Sequence, residues 1–324
     1  MPNSSTSRVT DSRVTENSRK PLPGLSIAAA ILLCNLLCIV RPGPGAEPLE
    51  FEPVINALQV PGQIKLGGVS GVAVNSRGQV FMLHRAERPV VCFEATGEYV
   101  RSWGTVLIGS GHGLRIDRND NVWVTDTGHH VVYKFDAQGE LLMTLGKADE
   151  PGLGHDQFNK PTDIGFGPNG EIYVTDGYGN SRIMKFDADG HFQTTWGEHG
   201  DQPGHFNAPH AVVIDRKGRV IIGDRDNDRI QIFDDQGNLQ ETWTGFAPFG
   251  LAFDTDGVLF VADGRANSIL RLDAAGRVLQ SWGAEKGSAA GEFSTPHMLD
   301  TDRHGNLYVA EVSGRRVQKL IRKR

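Results

Sequence analysis

Short apolar runs alternate with polar turns along most of the chain, and apolar and polar residues tend to alternate within each run. An apolar run, a turn rich in Gly, Asn and Asp, and a second apolar run recur six times. Most copies continue into a third and a fourth run. This pattern is typical of β-strands joined by tight turns. The copies are anchored on the residues that open their first turns: Asn75, Asp117, Gly167, Asp215, Asp254 and Asp302.

The repeat predicts an all-β protein, a six-bladed β-propeller over residues 47–324 with no second domain. The anchors recur about every 45 residues, and four strands at that period are typical of one propeller blade. The sixth copy ends at its third strand, residues 316–321, which leaves an edge without a partner. Residues 49–60 alternate in the same way, so we predict that this N-terminal strand pairs with 317–321 and completes the last blade.

Residues 1–46 have a different pattern. An uninterrupted apolar run covers 25–40; Arg19 and Lys20 precede it, and a Pro- and Gly-rich stretch follows it. The run is short for a membrane span and suits the apolar region of an export signal peptide. We expect an exported protein, secreted or periplasmic. An uncleaved membrane anchor formed by 25–40 is the alternative.

The charge of the chain limits the partners that it can bind, and its cysteines limit the disulfides that it can form. The chain has 33 basic and 39 acidic side chains and a formal net charge of −6, so it is a poor general binder of nucleic acid. We expect no nucleic-acid partner, and contact with a membrane only through the N-terminal segment. Of the three cysteines, Cys34 and Cys38 lie in the apolar run. Cys92 is then alone in the propeller and has no intrachain disulfide partner there.

One position separates the even copies from the odd ones. It lies five residues before each anchor, where the first strand begins, and its occupants in chain order are Ser70, His112, Thr162, His210, Phe249 and His297. First strands line the channel of a propeller. Histidines from alternate blades would therefore stand about 120° apart and point at one centre. Three imidazoles suit zinc and leave a fourth position open, as in catalytic sites.

The same face carries two further candidates. The loop after the second strand holds Arg85 in the first copy and Tyr178 in the third. An acidic residue ends the second strand in five copies, and a feature so regular is predicted to be architectural, accepting backbone N–H bonds at a turn. The other eight histidines follow no pattern and are expected at surface or turn positions: His84, His129, His130, His155, His191, His199, His205 and His304.

In several stretches the chain resembles the peptidyl-α-hydroxyglycine α-amidating lyases (peptidylamidoglycolate lyases), whose fold is an NHL-repeat propeller. The similar stretches, in order, are 71–74 with His84-Arg85, 112–114 with 120–126, 160–163 with 172–178, Pro209-His210 and Pro296-His297. The resemblance implies a carbon–nitrogen lyase that splits an N-acyl- or peptidyl-α-hydroxyglycine into an amide and glyoxylate.

The resemblance also implies roles for individual residues. His112, His210 and His297 would bind zinc, Tyr178 would act as the base, and Arg85 would balance the anionic charge of the substrate. The partner would be a small molecule or a peptide with a C-terminal α-hydroxyglycine.

Other family features are replaced here. The family's disulfides fall at positions matching Asn159 with Gly179 and Ile221 with Ile232, and a family methionine beside the third histidine is Thr295.

A family calcium site would use the backbone carbonyls of Val72 and Leu114, but the aspartate that completes it is Met298 here. We expect an ion pair between Arg115 and Asp300 to take the place of that cation.

Two other classes of function remain open. The first is a non-catalytic propeller that binds a protein or a glycan outside the cell, with a structural metal. The second is a calcium-dependent propeller lactonase. Such an enzyme needs carboxylates and amides at the channel mouth, where this chain has three histidines.

Overall fold

A computed structural model describes residues 49–323, which form six four-stranded antiparallel sheets arranged as a propeller. The prediction of an all-β six-bladed propeller is confirmed. Blade 1 contains β2 (Val69–Val74), β3 (Val80–His84), β4 (Val90–Phe93) and β5 (Tyr99–Trp103); blade 2 contains β6 (Gly111–Ile116), β7 (Val122–Asp126), β8 (Val131–Phe135) and β9 (Leu141–Leu145). Blade 3 contains β10 (Asp163–Phe166), β11 (Ile172–Asp176), β12 (Arg182–Phe186) and β13 (Phe192–Trp196).

Blades 4 to 6 follow the same order. Blade 4 contains β14 (Pro209–Ile214), β15 (Val220–Asp224), β16 (Arg229–Phe233) and β17 (Leu239–Thr244), with a short 3-10 helix (Arg225–Asn227) between β15 and β16. Blade 5 contains β18 (Pro248–Phe253), β19 (Leu259–Asp263), β20 (Ser268–Leu272) and β21 (Val278–Gly283). Blade 6 contains β22 (Pro296–Thr301), β23 (Leu307–Glu311), β24 (Arg316–Arg322) and β1 (Phe51–Val54).

The ring closes through the N-terminal strand, as predicted. β1 pairs antiparallel with β24, with Phe51 opposite Arg322 and Val54 opposite Lys319. The strand is shorter than the alternating stretch 49–60. Phe51 packs edge-on against Phe260 and Trp282, at ring-centroid distances of 6.1 and 5.2 Å. The closure therefore adds apolar contact between blades 5 and 6 as well as ladder hydrogen bonds.

The acidic residue that ends the second strand in five of the blades is architectural, also as predicted. Each of these carboxylates accepts a hydrogen bond from a backbone N–H just before the first strand of its own blade. The bonds tie the loop on the histidine face to the start of the first strand. The residues are Asp126, Asp176, Asp224, Asp263 and Glu311.

Blade 1 departs from this rule, and one expectation was wrong. His84 ends β3 at the position of those carboxylates and is fully buried, although we expected a surface or turn residue. Its Nδ1 accepts the Gly67 N–H at 3.4 Å, the same type of bond that the carboxylates make. Burial lowers the pKa of His84 from its ordinary value, and a backbone hydrogen bond with Arg88 opposes that shift.

The structure does not test the predicted export segment, but it does describe the cysteine of the propeller. The export segment, residues 1–46, lies outside the described residues and stays a prediction. Within residues 49–323, Cys92 is a buried free cysteine. A search of that same part of the chain finds no helix with the length and apolar character needed to cross a membrane.

Candidate metal centre and active site

Three imidazoles meet at the start of the first strands of blades 2, 4 and 6. The ring centroids of His112, His210 and His297 lie 4.6 to 4.8 Å from one another, a nearly equilateral arrangement. One nitrogen from each ring can be chosen so that all three lie within 4.8 Å of one another. The alternation in the sequence therefore corresponds to one shared centre.

Each imidazole is held by the next blade around the ring. A backbone carbonyl oxygen can only accept, so each Nδ1 must carry the proton that it donates. Each Nε2 then keeps its lone pair, which is the form that binds a metal, and such a backbone acceptor commonly orients histidine ligands. The three bonds are His112 to Thr162 O at 2.7 Å, His210 to Phe249 O at 2.6 Å and His297 to Ser70 O at 2.6 Å.

Two of the blades without a ligand histidine, blades 1 and 3, are in turn hydrogen-bonded to the next blade that has one. Ser70 donates from its hydroxyl to the Gly111 carbonyl at 2.9 Å, and Thr162 donates to the Pro209 carbonyl at 2.6 Å. These carbonyls belong to the residues just before His112 and His210. Side chains at one depth thus link consecutive blades around the channel.

The electrostatics keep the three imidazoles neutral. Burial lowers the pKa of His112 and His210 well below the ordinary value; neighbouring imidazoles and Arg225 lower it further. For His297, burial and the charge of Arg85 lower the pKa to about 3. A buried set of neutral nitrogen donors fits a zinc ion, so these residues could hold the metal that the resemblance implies.

Tyr178 reaches this centre from the loop after β11. Its hydroxyl oxygen lies 2.9 Å from His112 Nε2 and 3.0 Å from His210 Nε2. The side chain is 39% exposed, so the hydroxyl bridges the histidines and the solvent-facing mouth of the channel. The structure brings this predicted residue directly to the histidine group.

Arg225 is a residue of the site that the sequence reasoning did not select. Its Nη1 donates to the Tyr178 hydroxyl at 3.0 Å, and its guanidinium carbon lies 5.2 Å from the Tyr178 ring and 5.0 Å from the Phe249 ring. Asp226 fixes the other side of the guanidinium group through Nε and Nη2. The sequence does contain a signal for Arg225, because Arg225 and Arg85 occupy the same repeat position. Each follows the residue that ends a second strand.

Arg85 lies at the mouth of the channel, from the loop after β3. Its side chain is exposed, with Nε 3.4 Å from the Gly111 carbonyl oxygen. Its charge lowers the pKa of His112 and of His297, so it acts on the same centre. Arg85 and Arg225 come from blades that stand opposite each other, and the site therefore offers positive charge on both sides of Tyr178.

The expected ion pair between Arg115 and Asp300 is not the one that forms. Arg115 pairs with Asp163 at 2.6 Å and also donates to the carbonyls of Leu251 and Leu299. Asp163, which opens β10 in the adjacent blade 3, meets the guanidinium group at two points, whereas Asp300 in blade 6 raises the pKa of Arg115 through its charge without forming an ion pair among the described residues.

Asp300 instead accepts backbone N–H bonds from Val74 and Thr301. Burial lowers and Asp163 raises the pKa of Arg115, with a net rise.

The positions matching the family calcium ligands, Val72 and Leu114, are buried in β2 and β6. A guanidinium group therefore supplies positive charge in this channel.

A second group of metal-capable residues lies at the β12–β13 turn and includes Asp187, Asp189 and His191. Asp187 accepts the backbone N–H bonds of the turn and contacts His191. The group is mostly exposed, and the turn itself explains the carboxylate.

The fold and the repeats define the class of protein: this is an NHL-repeat β-propeller. The NHL repeat family model matches residues 158–186 and 206–233. The chain is 33% identical over 280 residues to mouse NHL repeat-containing protein 3, covering 79% of this chain and 80% of that protein. It is 35% identical over 196 residues to a Caenorhabditis elegans protein named as a probable peptidyl-alpha-hydroxyglycine alpha-amidating lyase, covering 52% of this chain and 56% of the relative. The chain belongs to the NHL-repeat protein family that includes mouse NHL repeat-containing protein 3.

Other relatives are longer proteins, and solved structures show only the fold. The Xenopus laevis peptidyl-glycine alpha-amidating monooxygenase B is 30% identical over 302 residues, and the match spans 79% of this chain but 34% of the relative. A streptogramin B lyase structure superposes with a TM-score of 0.63 at 18% identity, covering 85% of this chain and 98% of the other. The relatives support a lyase-like role for this chain.

Proposed function

We propose that the protein is a zinc-dependent lyase that cleaves an N-acyl- or peptidyl-α-hydroxyglycine into an amide and glyoxylate. One observation carries the proposal: the Tyr178 hydroxyl contacts two metal-capable imidazoles and one guanidinium group at the channel mouth. His112, His210 and His297 would hold the zinc. When bound, the ion supplies Lewis acidity toward the substrate oxygens.

Tyr178 is the base in this proposal. Arg225 Nη1 donates to the Tyr178 hydroxyl oxygen at 3.0 Å and would stabilise negative charge on that oxygen during proton transfer. The phenolate takes the proton of the substrate hydroxyl, the C–O bond becomes a carbonyl, and the C–N bond breaks with its electron pair moving to nitrogen. Tyr178 then returns the proton to that nitrogen. The atoms balance without water, oxidant or reductant.

The two arginines have different roles in this proposal. An α-hydroxyglycine ends in a carboxylate, and guanidinium groups pair well with carboxylates. Arg85 is exposed and would pair with that carboxylate, whereas Arg225 is fixed by Asp226 and holds Tyr178. The substrate would therefore enter from the face that carries the loops after the second strands.

The alternative is a non-catalytic propeller that binds a protein or a glycan outside the cell. The relative named NHL repeat-containing protein 3 favours keeping it, because it matches most of this chain and its name states no activity. Export itself is part of both proposals and rests on the apolar run 25–40.

Release of glyoxylate from α-hydroxyhippurate separates these functions. We expect the purified chain to form equal amounts of glyoxylate and benzamide, above the rate without protein. The Tyr178→Phe variant should lose about 100-fold or more of this rate and keep its metal content. A matched control is Tyr99→Phe, since the Tyr99 hydroxyl hydrogen-bonds to Ser102 on an outer strand. A zinc-loaded chain that releases no glyoxylate would favour the binding protein.

A further inference from the structure

Tryptophans near the ends of fourth strands usually fill the space between blades with other aromatic rings. Trp103 packs against Phe81 of its own blade and Phe135 of the next, both at 6.2 Å. Trp196 packs in the same way between Tyr173 and Phe233, at 6.3 and 6.0 Å. Each tryptophan therefore lies between a second-strand ring and a third-strand ring.

The space between blades 4 and 5 breaks this pattern. Trp243 is present, but its second-strand neighbour is Ile221 and the third-strand position in blade 5 is Leu272. The registers confirm the equivalence: Ile221 stands opposite Ile232 as Tyr173 stands opposite Lys185. Two aliphatic side chains thus replace two rings.

A cleft of about 410 Å³ lies at this place. Its apolar wall includes Ile221, Trp243, Phe253, Leu259 and Leu272. The turns β14–β15 and β18–β19 border the cleft, so it opens on the face opposite the three histidines. Its volume falls within the range of small-molecule sites, ~300–1,000 Å³.

One buried carboxylate oxygen in the wall has no hydrogen-bond partner among the described residues. Asp254 is 6% exposed, and its Oδ1 accepts the N–H groups of Asp256 and Val258. Its Oδ2 has no partner within residues 49–323. A buried hydrogen-bond acceptor without a donor costs stability. Such an acceptor in the wall of a cleft therefore points to a ligand that supplies the donor.

In two other blades a side-chain donor satisfies the equivalent carboxylate oxygen. In blade 2, Asp117 Oδ2 accepts from the Asn121 amide and from the Trp123 indole. In blade 6, Asp302 Oδ2 accepts from the Asn306 amide. The corresponding residue in blade 5 is Val258, which has no side-chain donor.

We propose that this cleft binds a small aromatic amine, with the ring beside Trp243 and the ammonium group donating to Asp254 Oδ2. The wall supplies apolar contact in place of the missing rings, and the carboxylate supplies a charged acceptor in a desolvated position. Two of the cations that line the cleft are directed elsewhere: Arg219 pairs with Asp215 and Glu241, and Arg216 donates to the Thr255 carbonyl; the third, Lys217, is exposed. Asp256 and Asp273 also line the cleft and are paired with Arg322 and Arg277, so Asp254 is the carboxylate left for the ammonium group.

The test compares two probes that share a ring, 2-phenylethylamine and neutral 2-phenylethanol, by saturation-transfer NMR and by tryptophan fluorescence. We expect saturable binding of the amine, at least tenfold tighter than the alcohol. Asp254→Asn should remove that preference and leave the alcohol unchanged. Leu272→Phe, which restores the side chain that Phe233 provides, should block both probes.

Ile221→Tyr is the second filling variant, in case Leu272→Phe does not fold. The proposal is overturned if the wild type shows no saturable binding, or if a folded filling variant binds the amine as well as the wild type does. Equal binding of the amine by Asp254→Asn and wild type would overturn the assignment of the ammonium group. Neither probe nor variant should change glyoxylate release, because the cleft and the histidine group lie on opposite faces.

Discussion

Arg115 and Asp163 form a two-point ion pair in the channel, with Nε to Oδ1 at 3.0 Å and Nη2 to Oδ2 at 2.6 Å. Removing one partner of a buried pair leaves the other charge uncompensated. We therefore expect Arg115→Met to lower the free energy of unfolding by about 3–5 kcal/mol, measured by urea denaturation. The exposed Arg216→Met should change it by less than about 0.5 kcal/mol. A loss no larger than that for Arg115→Met would contradict the structural role of the pair.

Calcium should not stabilise the wild-type protein. The Arg115 guanidinium already donates to the carbonyls of Leu251 and Leu299, so these oxygens have a cationic partner. Thermal unfolding in millimolar calcium and in excess chelator should give the same Tm. A calcium-dependent rise in Tm would show instead that the backbone carbonyls of Val72 and Leu114 belong to a real calcium site.

Zinc content should depend on each of the three histidines. The purified chain is expected to carry about one zinc per molecule, and His112→Ala, His210→Ala or His297→Ala should remove most of it. Elemental analysis after dialysis gives the stoichiometry. His304→Ala is the control, because His304 lies at an exposed turn. Full zinc content in all three variants would place the metal elsewhere.

Arg225 should position Tyr178 through a directed hydrogen bond as well as through charge. Arg225→Lys keeps the charge but loses the planar group that contacts Asp226 and Tyr178 together. We expect kcat for glyoxylate release to fall about 10- to 100-fold, with zinc content unchanged. Arg265→Lys is the matched control, since Arg265 also pairs with Asp226. Equal effects of the two substitutions would mean that the loop, and not the bond to Tyr178, is what matters.

The buried His84 should make the protein less stable in weak acid. Because its pKa is lowered on folding, the unfolded chain binds the proton more readily. Stability is therefore complete above the ordinary pKa of 6.5 and falls as the pH drops below it. His84→Asn keeps an acceptor for the Gly67 N–H and cannot be protonated, so its Tm should fall less than that of the wild type between pH 7 and pH 5.

His129 should have the opposite effect on the pH dependence of stability. Its hydrogen bond to Asp149 raises its pKa, so its contribution is present at low pH and is lost as the pH rises through the folded pKa. His129→Asn should therefore lower Tm more at pH 5 than at pH 8. A parallel pH dependence of the two variants would exclude this interpretation.

The sequence was most informative where one blade could be compared with another. Period and alternation predicted the strands, the ring closure by β1 and the shared position of His112, His210 and His297. The pairing of Arg115 depends on which first strands are neighbours and on their relative depth, and a repeat pattern does not contain that depth. Arg225 was visible as the counterpart of Arg85, but its contact with Tyr178 depends on how two loops fold toward each other.

Each of the three imidazoles takes its orientation from a carbonyl in the following blade, and that blade has no histidine at the corresponding position. The smallest unit that can be repeated without disturbing the centre is therefore a pair of blades, and the site has threefold symmetry within a sixfold scaffold. Gaining or losing a single blade would put two histidines, or two non-histidines, side by side. Changes of ring size that keep this chemistry would have to proceed two blades at a time, which gives propellers with this centre a reason to stay at six.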